Sequence, residues 1–79
     1  MEIGAQLAEF RTRVGASREE VAAACGVHGI TVWKWERNGR PSGGNLLKLR
    51  AWILQAAIEH GIPIESVPRV EAFFDSVAA

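Results

Sequence analysis

The stretch Ser17-Arg18-Glu19-Glu20-Val21-Ala22-Ala23-Ala24-Cys25-Gly26-Val27, followed closely by Thr31-Val32-Trp33-Lys34-Trp35-Glu36-Arg37-Asn38-Gly39, spells two short helices and the joint between them. Ser17 and Glu20 stand at capping-box spacing: the serine hydroxyl accepts from the Glu20 backbone N–H, and the Glu20 carboxylate reaches back to Ser17. The helix they open runs to about Ala24 and stops at Cys25-Gly26. The next covers about His28 to Arg37, with Asn38-Gly39 as its terminator. Helices joined by so short a link pack only over small residues. Ala22 leaves room for the approach, Gly26 takes φ > 0 at the turn, and neither position is expected to have space for a larger side chain. Val21, Cys25, Val27, Val32 and Trp35 supply the apolar contact. Seven constrained positions within fifteen residues make a far more specific pattern than any single glycine motif.

Working outward, a helix over about residues 2–14 carries Ile3, Leu7, Phe10 and Val14 on one stripe and ends at Gly15. After the paired helices comes a loop from Arg40 to Asn45, in which either Ser42 or Asn45 caps a fourth helix. That helix reaches about His60, buries Leu46, Leu49, Ile53, Ala56 and Ala57, and ends at Gly61. Trp52, at the edge of the stripe, packs against either the final helix or a second subunit. Pro63 and Pro68, close together, start the last segment with a turn, and from Val67 onward Val67, Val70, Phe73, Phe74 and Val77 mark one face of a last helix. The pattern predicts an all-α, compact five-helix bundle. Residues 1–61 form the helix-turn-helix unit, and residues 62–79 a C-terminal helical segment of the same domain that serves dimerisation or, alternatively, only caps the core of its own subunit.

The chain has 79 residues, 48% of them hydrophobic, enough for one small core. Its single cysteine, Cys25, forms no internal disulfide and reads as a small apolar elbow residue. Met1 to Gly4 shows neither a basic n-region nor an apolar h-region, and no run approaches membrane-spanning length, so the expected compartment is the cytoplasm, with no membrane partner. The net charge is zero but unevenly spread. Residues 1–50 hold eight Lys/Arg against five acids, and residues 51–79 hold Arg69 against four acids. A basic body with an acidic tail can present a positive face to phosphates. His28 and His60 are far apart, without a cysteine or acidic cluster around them, so no metal or other cofactor is expected. No nucleophile–base pair and no nucleotide-binding glycine loop stands in the sequence, and an enzyme is not expected.

These residues resemble the lambda-repressor/Cro (XRE) family of helix-turn-helix proteins. The resemblance covers Phe10 through Leu49 closely and extends loosely to Ile62. It implies five helices, a recognition helix at about 28–37 in the major groove, and a two-fold dimer on a palindromic operator. It also implies that Arg11 pairs with Glu36. Arg18 stands where the family usually has a glutamine on a backbone phosphate, a role that suits arginine as a charge-assisted donor.

If Val32 and Trp35 point inward, a step of about 100° per residue turns Ile30, Trp33, Lys34 and Arg37 outward. Lys34 matches a base-reading position of the family and suits guanine O6 or N7, whereas Arg37 suits a phosphate. Ile30 and Trp33 are unusual there. They meet thymine methyl groups, or else form a protein-contact patch. Gly29 replaces a polar base reader and either permits close backbone approach or is simply a poor helix residue. His28 either caps the recognition helix or touches DNA. Arg40, Ser42 and Asn45 are expected as phosphate contacts, with the Gly43 and Gly44 N–H groups facing an anion; the plain alternative is a flexible linker. Ser17 and Thr31 complete the expected DNA-binding set.

Two functions from different classes follow. The first is a sequence-specific DNA-binding transcriptional regulator, resembling a phage Cro-like repressor, a small plasmid regulator or an antitoxin with a toxin as protein partner. The second is a protein-interaction module that keeps the fold without specific DNA reading. Zero net charge, Gly29, Ile30 and Trp33 favour the second; Arg18, Lys34, Arg40 and the loop favour the first.

Overall fold

The computed structural model of the chain describes residues 2–37 and 39–73. Among these it contains four α-helices: α1 (Ile3–Arg13), α2 (Arg18–Cys25), α3 (Gly29–Arg37) and α4 (Gly43–Glu59). A 3-10 turn, Ile64–Ser66, follows. The expected five-helix bundle is therefore corrected to four α-helices and a turn among the described residues. Pro68 rules out the helix expected to begin at Val67, because a residue before proline is pushed out of the helical region, and helical backbone returns only at Ala72 and Phe73, the last described residues. Val67 accordingly lies extended, at φ −88° and ψ 153°. The chain then turns through bonds from the Ala72 N–H to the Arg69 carbonyl (2.9 Å) and from the Phe73 N–H to the Val70 carbonyl (3.0 Å). Phe74 and Val77 lie outside the described residues, as does Asn38.

Local signals explain where the first helices begin and end. Ser17 Oγ accepts from the Glu20 N–H at 3.1 Å, and Glu20 Oε1 accepts from the Ser17 N–H at 3.2 Å. Gly26 closes α2 in the left-handed region at φ 69°, which lets the Val27 N–H reach the Ala22 carbonyl at 3.0 Å. A Cβ at Gly26 would meet only Lys48 Nζ, at 3.8 Å. The glycine is required by conformation, not by the crowding expected from the short elbow. Ala22 does meet the crowding expectation, at 2% exposure.

One core unites the elements. Leu7 and Phe10 of α1, Val21 and Cys25 of α2, Val32 and Trp35 of α3, and Leu49 and Ile53 of α4 meet in it. Ile62, Val70 and Phe73 join the same cluster, so part of the apolar face expected to serve dimerisation is spent inside the subunit. Trp52 packs edge-on against Phe10, with ring centroids 5.9 Å apart at 89°. A contact that the sequence hid places α1 on α3. A Cβ on Gly4 would lie 2.7 Å from the Trp35 carbonyl oxygen and 2.8 Å from that of Glu36. Only a bare glycine lets the start of α1 lie on the end of α3.

Two glycine-to-alanine substitutions should therefore move stability in opposite directions. Gly44→Ala, in the open first turn of α4, should stabilise by up to about 0.5–1 kcal/mol through the helix preference of alanine. Gly4→Ala should destabilise by about 1–3 kcal/mol by overpacking against backbone. Urea denaturation midpoints measure both, and equal signs would contradict the close approach of α1 to α3.

Candidate nucleic-acid interface

The outward face of α3 is set by what its inward face buries. Val32 and Trp35 are enclosed in the core, and the helical step turns Ile30, Trp33, Lys34 and Arg37 to solvent, as the spacing predicts. Ile30 is 58% exposed. The Arg37 guanidinium carbon lies 4.7 Å from the Trp33 ring centroid, a cation–π stack that holds the charge on the helix surface. At the other end, His28 is exposed just before α3, while Gly29 and Thr31 are half-buried. A Cβ on Gly29 would sit 3.4 Å from Glu19 Oε1, an ordinary contact, so a carboxylate from α2 lies beside the first turn of α3.

The opposite end of α3 carries the strongest polar contacts described. Glu36 Oε2 accepts from Arg11 Nε at 2.6 Å, and Glu36 Oε1 accepts from Arg18 Nε at 2.9 Å. Arg11 Nη1 also donates to the Ala16 carbonyl at 2.9 Å, bracing the turn between α1 and α2. The Glu36 side chain is 4% exposed, that of Arg11 14% and that of Arg18 40%. The Arg11–Glu36 pair thus forms as the family pattern implies. Arg18 also has a partner within the fold that sequence reasoning did not give it, and the exposed part of its guanidinium faces solvent.

On the connection after α3, Arg40 is exposed and Pro41 buried, so the loop is anchored beside an exposed cation. Ser42 occupies the N-cap position of α4, although its side chain makes no capping bond. Asn45 is the third residue of that helix and half-buried. Gly43 and Gly44 have no neighbour within 4 Å of an added Cβ, which leaves the first turn of α4 open. Ser17, by contrast, already uses its hydroxyl in the capping box. Among the described residues no cluster of His, Cys, Asp or Glu could hold a metal. Burial pushes the Cys25 thiol above its ordinary pKa, and the Lys48 ammonium only partly offsets this. A buried, protonated thiol is a packing residue.

The geometry is a helix pair at a left-handed glycine elbow, with the second helix presenting a cationic outer face. Residues 2–49 match the family described as "Helix-turn-helix domain". The chain belongs to that family. The match takes in α1, α2, α3 and the first part of α4, and so includes every helix that Glu36 ties together. It supports a helix-turn-helix DNA-binding protein. Comparison with curated proteins and with solved structures finds no match. Among the described residues no helix is long and apolar enough to cross a membrane.

The two ion pairs should differ in strength because their exposure differs. Arg11→Ala leaves a buried carboxylate with one partner and should destabilise this helix-turn-helix domain by about 3 kcal/mol. Arg18→Ala should cost about 1 kcal/mol or less. A double-mutant cycle on Arg11 and Glu36, read by denaturant unfolding, checks this. A coupling energy near zero would remove Glu36 as the tie between α1 and α3.

Proposed function

We propose that this helix-turn-helix protein is a sequence-specific transcriptional regulator that binds double-stranded operator DNA through α3. The observation that carries the reading is the outward set Ile30, Trp33, Lys34 and Arg37, on a helix whose inner face is locked by Val32 and Trp35. Such a helix enters a major groove as a rigid body, its long cationic side chains reaching base edges and phosphates. Arg18, Arg40, Ser42 and Asn45 supply the phosphate contacts that fix its register, with the open amides of Gly43 and Gly44 beside them. His28, Gly29 and Thr31 place the first turn of α3 in the groove, and Ser17 holds the start of α2 beside it. The finer reading is a cytoplasmic repressor of the lambda-repressor/Cro (XRE) type, Cro-like or antitoxin-like, with a toxin as protein partner in the latter case.

A palindromic operator requires a homodimer, with two recognition helices about 34 Å apart. The pairing surface in this reading lies in the C-terminal part of the chain, from about Trp52 onward. Val70 and Phe73 serve their own core, so among the described residues of this segment the exposed Ile58 and Ile64, at 75% and 58%, are the large apolar groups left to pair. The acidic surplus of this segment keeps it away from phosphates. The second function, a protein-interaction module without DNA reading, is favoured by the exposure of Ile30 and by the zero net charge.

Selection of duplexes from a random pool at physiological salt distinguishes the two: the regulator enriches one palindrome, and the interaction module enriches none. Against the selected duplex, Arg40→Ala should weaken binding to every sequence and reduce the salt slope by about one. Lys34→Ala should cost about 1–3 kcal/mol at one symmetric pair of positions and relax the preference there. Unchanged preference in Lys34→Ala would contradict the orientation of α3. For the dimer, Ile58→Asp with Ile64→Asp should yield a monomer by sedimentation at micromolar concentration, with unaltered helix content. A dimer that survives both changes would place the interface elsewhere.

A further inference from the structure

The outer face of α3 can be read for the kind of base it accepts. This step rests on the proposal that α3 enters the groove, and asks what it can recognise there. The one acidic residue within α3 is Glu36. Both its oxygens are engaged by Arg11 and Arg18, and its side chain is 4% exposed. No asparagine or glutamine stands in the helix. The nearest carboxylate on α2, Glu19, lies against the first turn of α3 at Gly29, where the helix N-terminus attracts negative charge. The exposed groups of α3 are therefore the ammonium of Lys34, the guanidinium of Arg37, the indole of Trp33 and the alkyl side chain of Ile30. They offer hydrogen-bond donors and apolar surface, with neither a carboxylate nor a carboxamide.

That inventory selects among bases. Adenine is read in the major groove by a carboxamide that both accepts and donates, and cytosine by a carboxylate that accepts from N4. Neither reader is present on the described outer face of α3. Guanine shows two acceptors, N7 and O6, and thymine shows the O4 acceptor beside its 5-methyl group. Both suit donors and alkyl groups.

The arrangement also argues against a protein as occupant of this face. A docking patch requires a contiguous apolar area of several hundred Å². Here the Arg37 guanidinium lies over the Trp33 ring, and Lys34 follows one turn after Ile30. The apolar surface left on α3 is the part of the Trp33 ring that Arg37 does not cover, 36% of the residue, and the side chain of Ile30, both set among cations. One alkyl group of that size matches one or two methyl groups.

We propose that α3 is a donor-and-methyl reader: Ile30 receives a thymine 5-methyl group, and Lys34 donates to guanine N7 or O6. Arg37, carried on Trp33, anchors the adjoining backbone. Ile30 and Lys34 are four residues apart, about 6 Å along the helix axis. With α3 along the groove that is about two base-pair steps, so each half-site holds a thymine and a guanine at that separation.

The test uses the full-length protein and the duplex it selects from a random pool. Each half-site thymine is replaced singly by deoxyuridine, which removes the methyl group and keeps every hydrogen-bonding atom. At the thymine facing Ile30 the replacement should weaken binding about fourfold, the worth of one buried methyl group, and elsewhere it should have no effect. In Ile30→Ala, an exposed substitution whose folding is checked by circular dichroism, the thymine and deoxyuridine duplexes should bind alike. A selected duplex whose thymines can all be replaced without loss would overturn the methyl contact while leaving DNA binding intact. A deoxyuridine penalty that persists in Ile30→Ala would assign the methyl to another residue. Selection of no duplex at all would overturn the DNA-binding reading and this one together.

Discussion

A single carboxylate, that of Glu36, ties the first three helices together. It sits at the end of α3, almost wholly out of solvent, between the guanidinium of Arg11 from α1 and that of Arg18 from α2. A charge so placed is tolerable only because its hydrogen-bonding capacity is met from both sides. The consequence is directional. Apolar packing of Val32 and Trp35 holds α3 against the core but tolerates small rotations, whereas a carboxylate with two fixed donors specifies its azimuth. The close contact of Gly4 with the Trp35 and Glu36 carbonyls sets the same end of the helix from below. Between them, a bare glycine and a paired glutamate determine which residues of α3 look outward.

The same contact resolves an apparent conflict between a neutral chain and an anionic partner. Net charge counts Glu36 as an exposed acid, yet its field is cancelled locally by two arginines. The remaining ion pair of note, Arg50 with Glu71 at 3.7 Å, lies on exposed side chains and contributes little to stability. Among the described residues the exposed cations around α3 are Lys34, Arg37 and Arg40, with the Glu19 carboxylate lying at its first turn. A zero total thus coexists with a positive face, and long-range attraction to phosphates is modest while short-range complementarity is retained.

Much of this was legible in the sequence because the deciding signals are local. The capping box at Ser17, the left-handed Gly26 and the spacing of Val32 and Trp35 each act within one turn of chain, and each appears as read. The outward set on α3 follows from the same spacing. Contacts between elements were less legible. Nothing about Gly4 in a helical stretch announces that a later carbonyl lies against it, and Arg18 gave no sign of sharing Glu36 with Arg11. Trp52 found Phe10 across the core. The apolar spacing from Val67 onward suggested a helix beginning there, but Pro68 holds Val67 extended. Val70 and Phe73 then join the core of their own subunit, the alternative that stood beside a dimer face in the sequence.

The central claim is that the outer face of α3, set by the Glu36 tie, is the surface that meets DNA. Amide chemical-shift mapping tests it most directly: the ¹⁵N-labelled protein is titrated with the duplex it selects, and perturbed amides are assigned along the chain. The account predicts the largest shifts from Gly29 through Arg37 and on the connection from Arg40 to Asn45, with Ile62 and Val70 unmoved. Shifts centred on Ile58 and Ile64, with α3 undisturbed, would contradict it.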